Sequence, residues 1–233
     1  MIIIAHRAGT DRYPEQSMAS IRHSLALGAD YAEVDVRFTK DEVPVVCHDP
    51  NTQRVFGLDS EVERLTAEAF LALRHVADPD MGTYTLEQLF QAGLAPLLLH
   101  YKKYVPTQLD TVLRQIQQFG LTHKVILGMQ TAASIRQIKD FDPDIRVLAF
   151  MPTIDDLDAF LARPFDIIRL WESWVTQERV DRIKKAGRQC WIMARAQETG
   201  YTNLSNLRIW TEMGADGVLL NEIEPLSDWM NAM

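Results

Sequence analysis

Apolar runs of strand length recur along this chain and alternate with segments of helical periodicity. The runs cover residues 2–5, 31–36, 44–48, 96–101, 124–128, 145–150, 166–170, 189–194 and 216–220. The gap between the second and third runs is too short for a parallel crossover, which takes about a dozen residues. The run 44–48 is therefore predicted to return antiparallel to 31–36, with a turn around 40–42.

The other eight runs are predicted to be parallel strands with helices between them, which is typical of an α/β fold, the (β/α)8 or TIM barrel. A doubly wound open sheet is the structural alternative. No Gly-x-Gly-x-x-Gly motif follows the first run, and this disfavours the open sheet. The sequence thus predicts a barrel with a short hairpin after its second strand.

Helix signals and one long interruption complete the predicted organisation. Helices are expected at 15–28, 176–186 and 204–213, each ending at a glycine, and a capping box is expected at 153–156. Residues 51–84 interrupt the alternation and are predicted to form a small excursion over the barrel mouth, with a helix over 65–73 and a turn at 78–80. With no linker or low-complexity tract, residues 1–233 are predicted to form one barrel domain.

Composition and charge exclude several partners. The chain has 233 residues, 47% hydrophobic and 24% charged, with a net charge of −8. That charge argues against nucleic acid or an anionic membrane as a partner, but not against a small anionic substrate. The first residues lack a signal peptide, and no run approaches the roughly 18 apolar residues of a spanning helix. We expect a cytoplasmic protein without stable membrane association and with two reduced cysteines; the oligomeric state stays open.

Polar residues with catalytic chemistry cluster where the predicted strands end. Catalytic groups of such barrels lie at the carboxyl ends of the strands. The candidates there are His6, Arg7, Glu33, Asp35, His48, Asp49, His100, Lys102, Gln130, Glu172, Arg195, Asn221 and Glu222. Any one histidine of this set could be structural, so the prediction depends on three of the six histidines falling at strand ends. Together they indicate metal-assisted cleavage of a phosphoester.

Two alternatives stay open for the charged residues. Glu33 and Asp35 share one face of a strand, so they bind a metal or form an internal salt-bridge cluster with Arg7 and Lys102. Arg7 either clamps a phosphate through its planar fork or pairs with a neighbouring carboxylate, Glu15 or Asp35.

At this point the motifs resemble those of the glycerophosphodiester phosphodiesterase family. The resemblance is carried by His6-Arg7, Pro14-Glu15-Gln16-Ser17, Gly28-Ala29-Asp30, Glu33-x-Asp35, Thr39-Lys40-Asp41 and Val45-Val46-Cys47-His48-Asp49-Pro50. Looser matches are Thr85-Leu86-Glu87, Trp191 and the segment 214–220 with Pro225. The family fold is a (β/α)8 barrel, in agreement with the strand pattern.

The resemblance implies roles for individual residues. It implies that His6 and His48 are the catalytic general base and general acid, and that a substrate hydroxyl attacks first, giving a cyclic phosphate that water opens. It implies substrate binding by Arg7, Lys102 and Trp191. It also implies a divalent-metal site of Glu33 and Asp35 with Glu15 close by, holding Mg²⁺ or Ca²⁺ as cofactor.

The chain departs from the family pattern at several positions. Ala8 and Gln16 replace the usual Gly and Asn, and residues 192–194 and Asn221 replace usual polar or acidic residues of the late strands. The largest departure is His100, where the family has a glutamate as third metal ligand. His100 either completes the metal site, favouring Mn²⁺ or Zn²⁺ over harder cations, or stays a neutral hydrogen-bonding residue beside a weakened site.

The expected function is hydrolysis of a small glycerophosphodiester-type substrate to an alcohol and a phosphomonoester such as glycerol 3-phosphate. Two alternatives remain. One is a non-catalytic relative that binds a phosphorylated ligand, and the other is a phospholipase D-like lyase that stops at the cyclic phosphate.

Overall fold

Nine strands and nine α-helices make up the described part of the chain, residues 1–194 and 204–226 of the computed structural model. The strands are β1 Ile2–Ala5, β2 Tyr31–Phe38, β3 Pro44–Val46, β4 Leu97–Tyr101, β5 Val125–Met129, β6 Arg146–Ala149, β7 Ile167–Trp171, β8 Gln189–Met193 and β9 Gly217–Leu220. The helices are α1 Met18–Ala26, α2 Gln53–Phe56, α3 Ala67–Leu71, α4 Leu86–Gln91, α5 Pro106–Gln118, α6 Ser134–Phe141, α7 Leu157–Leu161, α8 Gln177–Lys185 and α9 Leu204–Glu212. None of these helices is long and apolar enough to cross a bilayer.

Eight of the strands close into a parallel barrel. β1 pairs with β9 on one side and β2 on the other, and the remaining neighbours follow in chain order. β3 instead pairs antiparallel with β2, with Val36 opposite Val46. The predicted (β/α)8 barrel and the predicted hairpin are therefore confirmed.

The barrel interior is a packed apolar core. Because parallel strands are covered on both faces, they consist of nearly continuous apolar residues, and alternate side chains point inward. Buried apolar interior side chains come from seven of the eight barrel strands, all except β2: Ile4, Leu98, Ile126, Leu148, Ile167, Trp191 and Leu219. This packing leaves room for a ligand at the mouth of the barrel, where the strands end.

Side-chain caps start several of the helices. The capping box of α4 is complete: Thr85 Oγ1 accepts from the Gln88 backbone at 3.1 Å, and Gln88 Oε1 accepts from the Thr85 backbone at 2.9 Å. The predicted capping box at 153–156 is present before α7, and Thr176 caps α8. These caps satisfy backbone N–H groups in the first turns of the helices that follow them.

The excursion between β3 and α4 packs on the barrel through its own small core. It contains α2 and α3, with a reverse turn in which the backbone of Met81 donates to Asp78 at 3.0 Å. Cys47, Val62 and Phe70 are buried together beneath it. The excursion thus lies beside the strand end that carries His48.

Candidate active site

A cavity of about 320 Å³ opens at the carboxyl ends of the strands. Its lining consists of His6, Arg7, His48, His100, Lys102, Gln130, Phe150, Met151, Pro152, Arg169, Trp171 and Met193. The three histidines singled out in the sequence therefore come together, with both predicted phosphate-binding cations. This volume suits a small molecule.

The turn after β1 aims its first residues into the cavity through a strained backbone. Arg7 and Ala8 have φ values of 51° and 68°, in the left-handed region that favours glycine. Hydroxyls of α1 hold the turn, since Ser24 donates to the Ala8 carbonyl at 2.8 Å. The Arg7 carbonyl accepts from the Gln16 backbone at 2.8 Å. Ala8 therefore has a left-handed conformation at the position where the family resemblance leads us to expect glycine.

The ring of His6 is oriented by the last barrel strand. His6 Nδ1 lies 2.6 Å from Asn221 Oδ1. Because an amide oxygen only accepts, the proton of the neutral ring is on Nδ1, and Nε2 keeps its lone pair. Nε2 lies 4.0 Å from Glu33 Oε2. Burial lowers the pKa of His6, against the opposing effect of Glu33.

His48 is held in the same tautomer from a different side. Its Nδ1 lies 2.6 Å from Asp49 Oδ1, so the ring donates there. Its Nε2 accepts from Arg7 Nη2 at 3.0 Å. Burial lowers the pKa of His48, with Asp35 opposing that shift. Both imidazoles are thus neutral rings with an unprotonated Nε2.

Glu33 and Asp35 lie on the inward face of β2, and both are fully buried. Asp35 Oδ2 accepts from Gln16 Nε2 at 2.6 Å, and Lys102 Nζ lies 2.7 Å from Asp35 Oδ1. Glu33 Oε2 accepts from the Arg7 backbone at 2.7 Å. Burial, reinforced by the neighbouring Asp35, raises the pKa of Glu33. Although burial opposes it, Lys102 holds the pKa of Asp35 well below its usual range.

His100 completes a three-residue cluster with the two carboxylates. Its Nδ1 lies 3.0 Å from Asp35 Oδ1 and 3.6 Å from Glu33 Oε1. His100 Nε2 lies 3.0 Å from the side-chain amide of Gln130, and Nδ1 faces the carboxylates. In the tautomer that carries its proton on Nε2 and donates it to the amide oxygen, Nδ1 keeps the lone pair that a metal needs. Burial and the Lys102 ammonium lower the pKa of His100 to about 4. A neutral imidazole is the form that binds metal.

The cluster fits a divalent cation. One donor atom from each of Glu33, Asp35 and His100 lies within 4.8 Å of the others. Within residues 1–194 and 204–226, Glu33 Oε1 is buried and accepts no hydrogen bond. A buried carboxylate oxygen without a donor is costly, and a cation offsets that cost. Two carboxylates and an imidazole are donors that Mn²⁺ and Zn²⁺ accept.

Glu15 is placed away from this cluster, between two arginines. Arg7 Nη1 donates to it at 3.2 Å, and Arg54 donates to both of its oxygens at 2.7 and 3.0 Å. Glu15 therefore forms the ion pair with Arg7 that was the alternative for that arginine, and it is not one of the three residues whose donor atoms lie together. Two guanidinium groups lower the pKa of Glu15 against the effect of its burial.

Arg54 of the excursion is a site residue that sequence reasoning missed. Besides Glu15, it contacts Asp49, with Nε 2.5 Å from Asp49 Oδ2. Arg54 therefore contacts both Glu15, the ion-pair partner of Arg7, and Asp49, the hydrogen-bond partner of His48. Its position five residues after Asp49 was the available signal, but nothing in the sequence places α2 beside residue 15.

Trp191 does not reach the cavity, contrary to the predicted substrate contact. It is fully buried, and its Nε1 donates to Gln189 at 3.2 Å, at the amino end of β8. The aromatic wall of the cavity comes from Phe150 and Trp171 instead. Arg195, another candidate, lies outside the described residues.

Comparisons with known proteins agree with this fold. The model of the Glycerophosphoryl diester phosphodiesterase family matches residues 6–156. A glycerophosphodiester phosphodiesterase of Caldanaerobacter subterraneus subsp. tengcongensis is 24% identical over 158 residues, covering 63% of this chain and 65% of the relative. A lysophospholipase D of Mus musculus is 26% identical over 155 residues, covering 61% and 47%. The match thus spans less than two thirds of the length of either relative.

Solved structures show the same barrel over nearly the whole chain. A glycerophosphoryl diester phosphodiesterase from Parabacteroides distasonis superposes with a TM-score of 0.80 at 23% identity, covering 100% of this chain and 87% of that one. An Oleispira antarctica phosphodiesterase gives 0.83 at 18% identity, covering 99% and 97%. The family match includes all three cavity histidines and both buried carboxylates of β2. On that match, the chain belongs to the glycerophosphoryl diester phosphodiesterase family.

Proposed function

We propose that the chain is a metal-assisted phosphodiesterase that hydrolyses glycerophosphodiester-type substrates to an alcohol and a phosphomonoester such as glycerol 3-phosphate. The observation that carries the proposal is the pair of neutral imidazoles, each with Nδ1 engaged by Asn221 or Asp49, beside a buried acidic cluster. An Oleispira antarctica fold neighbour was crystallised with the product sn-glycerol-3-phosphate, which supports this substrate class.

In the proposed reaction the two histidines move the protons. His6 takes the proton of the attacking hydroxyl at Nε2, because its Nδ1–H donates to the Asn221 amide oxygen and Nε2 therefore carries the lone pair. His48 takes a proton from solvent at Nε2 once the bound phosphate has drawn Arg7 Nη2 from that nitrogen, and it then delivers this proton to the leaving alkoxide oxygen; the Asp49 carboxylate at Nδ1 stabilises the imidazolium. Where a substrate hydroxyl attacks, water then opens the cyclic phosphate: His48 takes the proton of that water, and His6 returns its proton to the hydroxyl oxygen that leaves phosphorus. Each step leaves the other ring nitrogen fixed, so the ring orientation is kept.

The charged residues bind and orient the phosphate. Arg7 Nη2 lies 3.0 Å from His48 Nε2, so a phosphate oxygen bound by Arg7 lies beside His48, the general acid. Lys102 contributes a second cation from the next barrel strand. Glu33, Asp35 and His100 would hold the divalent ion. When bound, that ion neutralises the non-bridging oxygens and lowers the pKa of a nearby hydroxyl.

Purified protein assayed on glycerophosphocholine and bis(p-nitrophenyl) phosphate with Mg²⁺, Ca²⁺, Mn²⁺ or Zn²⁺ tests the proposal. We expect metal-dependent turnover that falls by about 10²–10⁴-fold in His6→Ala or His48→Ala. His23→Ala is the matched control, because His23 pairs with Glu224 on the outer helix α1. Activity that survives the double variant His6→Ala/His48→Ala would refute the assignment.

One observation favours a second candidate, a relative that binds a phosphorylated ligand without turnover. Lys102 Nζ lies 2.7 Å from Asp35 Oδ1 and 3.1 Å from His100 Nδ1, so an ammonium competes for the cation position. Tight binding of glycerol 3-phosphate with no turnover under any of the four metals would favour this candidate. Phosphorus NMR of the product separates hydrolysis from a lyase that stops at the cyclic phosphate.

A further inference from the structure

A buried guanidinium lies on the far side of the cavity from the metal-binding strand. Arg169 is on β7, which in the barrel order lies four strands from β2 in either direction. It lines the same cavity as His6 and His48 and is only 3% exposed. Arg169 was not among the candidates from the sequence, because it lies inside an apolar run and not at its end.

The guanidinium is packed among aromatic rings. Its central carbon lies 4.1 Å from the centre of the Trp171 ring and 5.2 Å from that of Phe150. Phe150 in turn stacks on His100, with ring centres 3.9 Å apart. These contacts hold the planar group at a fixed place on the cavity wall by cation–π attraction. A guanidinium has five N–H donors, so it can donate to a ligand in addition to its contacts within the protein.

The other two cations of the cavity are placed for the phosphate that is cleaved. Arg7 and Lys102 lie on the side of the two histidines and the acidic cluster. Arg169 lies across the barrel from that cluster, so it is placed for a part of the substrate away from the cleaved phosphate. It also occupies the aromatic surface on which a quaternary ammonium would otherwise bind, and it repels any second cation there.

We propose that Arg169 is a specificity-determining residue that binds a second anionic group, a phosphate or carboxylate, on one alcohol arm of the diester, and that it disfavours arms with a quaternary ammonium. This inference rests on the proposed function for its diester context. The substrate class is therefore a glycerophosphodiester with an acidic arm, and glycerophosphocholine is a poor substrate.

Equilibrium binding tests the site without any requirement for turnover. Glycerol 3-phosphate and glycerol 1,3-bisphosphate differ by one phosphate, and titration calorimetry measures both. We expect the bisphosphate to bind roughly tenfold to a hundredfold more tightly, as for hydrogen bonds to a charged group. Arg169→Met should abolish that difference and leave glycerol 3-phosphate affinity unchanged, whereas Arg169→Lys should keep part of it. Arg163→Met, on the exposed surface, is the matched control.

Kinetics on matched diesters test the same residue during turnover. Glycerophosphoglycerol has two equivalent glycerol arms. Phosphorylation of the terminal hydroxyl of one arm therefore gives a diester with one acidic arm and one neutral arm. We expect kcat/KM to be at least tenfold higher for the phosphorylated diester than for glycerophosphocholine. In Arg169→Met this ratio should collapse, because kcat/KM should fall at least tenfold more for the phosphorylated diester than for bis(p-nitrophenyl) phosphate, which has no charged arm.

The outcomes separate this inference from the proposed function. Equal affinity of the wild type for the two glycerol phosphates overturns the inference. A fall in kcat/KM in Arg169→Met that is the same for every substrate also overturns it. If Arg169→Met does not fold, a wild-type preference for the bisphosphate that is undiminished in Arg169→Lys has the same meaning. If no diester is cleaved but the bisphosphate preference is present and depends on Arg169, the proposed function fails and the anion site stands.

Discussion

His100 contributes a nitrogen at a position where a third carboxylate would add negative charge. A carboxylate about 4 Å from a cation contributes on the order of a few kcal/mol at an effective dielectric near 20. We therefore predict that His100→Glu tightens Mg²⁺ binding by at least about tenfold and narrows the advantage of Mn²⁺ over Mg²⁺. Titration calorimetry with each metal measures this ratio.

The control for position 100 adds the same charge elsewhere. His123 is exposed before β5, so His123→Glu should leave both metal affinities unchanged. An unchanged Mg²⁺ affinity in His100→Glu, with the fold intact, would mean that residue 100 does not face the cation.

Local sequence predicts which residues surround the cavity better than it predicts how they are held. His6 and His100 could be found because each lies at the end of a predicted parallel strand, and such ends lie at the barrel mouth. His48 could be found because the predicted hairpin strand returns it beside β2. The residues that orient these rings belong to distant parts of the chain: Asn221 is 215 positions from His6. Such pairings depend on how the barrel closes, so no local pattern reveals them. The same holds for Trp191, whose depth along β8 could not be deduced from its residue type.

At the scale of elements, helix α2 of the excursion supports the site through Arg54. We predict that Arg54→Gln lowers kcat/KM by roughly tenfold and shifts the pH profile. Without Arg54, the negative charge of Asp49 acts more fully on His48, so the pKa of His48 rises and the corresponding limb of the profile moves to higher pH. The pH dependence of kcat/KM measures this shift.

Two variants make the Arg54 prediction specific. Arg54→Lys should recover only part of the activity, because an ammonium cannot reproduce the paired contacts to Glu15 and Asp49. Arg22→Gln, on the exposed face of α1, should behave as wild type. If Arg54→Gln lowers stability but leaves the pH profile in place, Arg54 is only a structural link.

The excursion also contains a buried histidine, His75, that couples the stability of the protein to pH. The His75 ring lies 4.9 Å from the Phe56 ring, and burial lowers its pKa. A histidine whose folded pKa is depressed binds its proton first in the unfolded chain, so stability is lost as pH falls below about 6.5. We predict that His75→Phe loses less thermal stability than wild type between pH 7.5 and pH 5.

Calorimetric melts of metal-free protein at the two pH values test this prediction. The cavity histidines act in the same direction, so the wild type loses stability in any case, and only the difference between variants is informative. His123→Phe, an exposed position, is the control and should keep the full pH dependence. The same pH dependence in His75→Phe would show that the His75 proton is not coupled to folding.

Element types followed from periodicity where segments were long or strongly apolar. Each predicted strand is present within a few residues, because a strand buried on both faces must be almost wholly apolar. The predicted helix over 65–73 is shorter, Ala67–Leu71, and α2 was missed. One-turn helices leave no hydrophobic period, and tertiary contacts decide them.

At the scale of the whole molecule, ring closure makes the barrel interior one continuous core with a functional mouth. One tryptophan lies in this core and another lies at the mouth. Trp191 lies deep, with its ring 6.1 Å from that of Tyr31, and an added Cβ at Gly217 would lie 3.0 Å from its indole. Trp171 ends β7 at the cavity and lies beside Arg169. A smaller side chain at residue 191 should therefore lower stability, and one at residue 171 should lower activity.

We predict that Trp191→Phe destabilises the protein by about 1–3 kcal/mol, because the lost indole leaves unfilled space in a packed interior. For a chain of this size that corresponds to a fall in Tm of several degrees. Its kcat/KM should stay within about twofold of wild type, since residue 191 lies below the cavity. Trp171→Leu should show the reverse, with a larger loss of kcat/KM on diesters than of Tm. If Trp191→Phe instead impairs KM while Tm is unchanged, the deep placement of that ring is wrong, and the substrate contact expected from the family resemblance is restored.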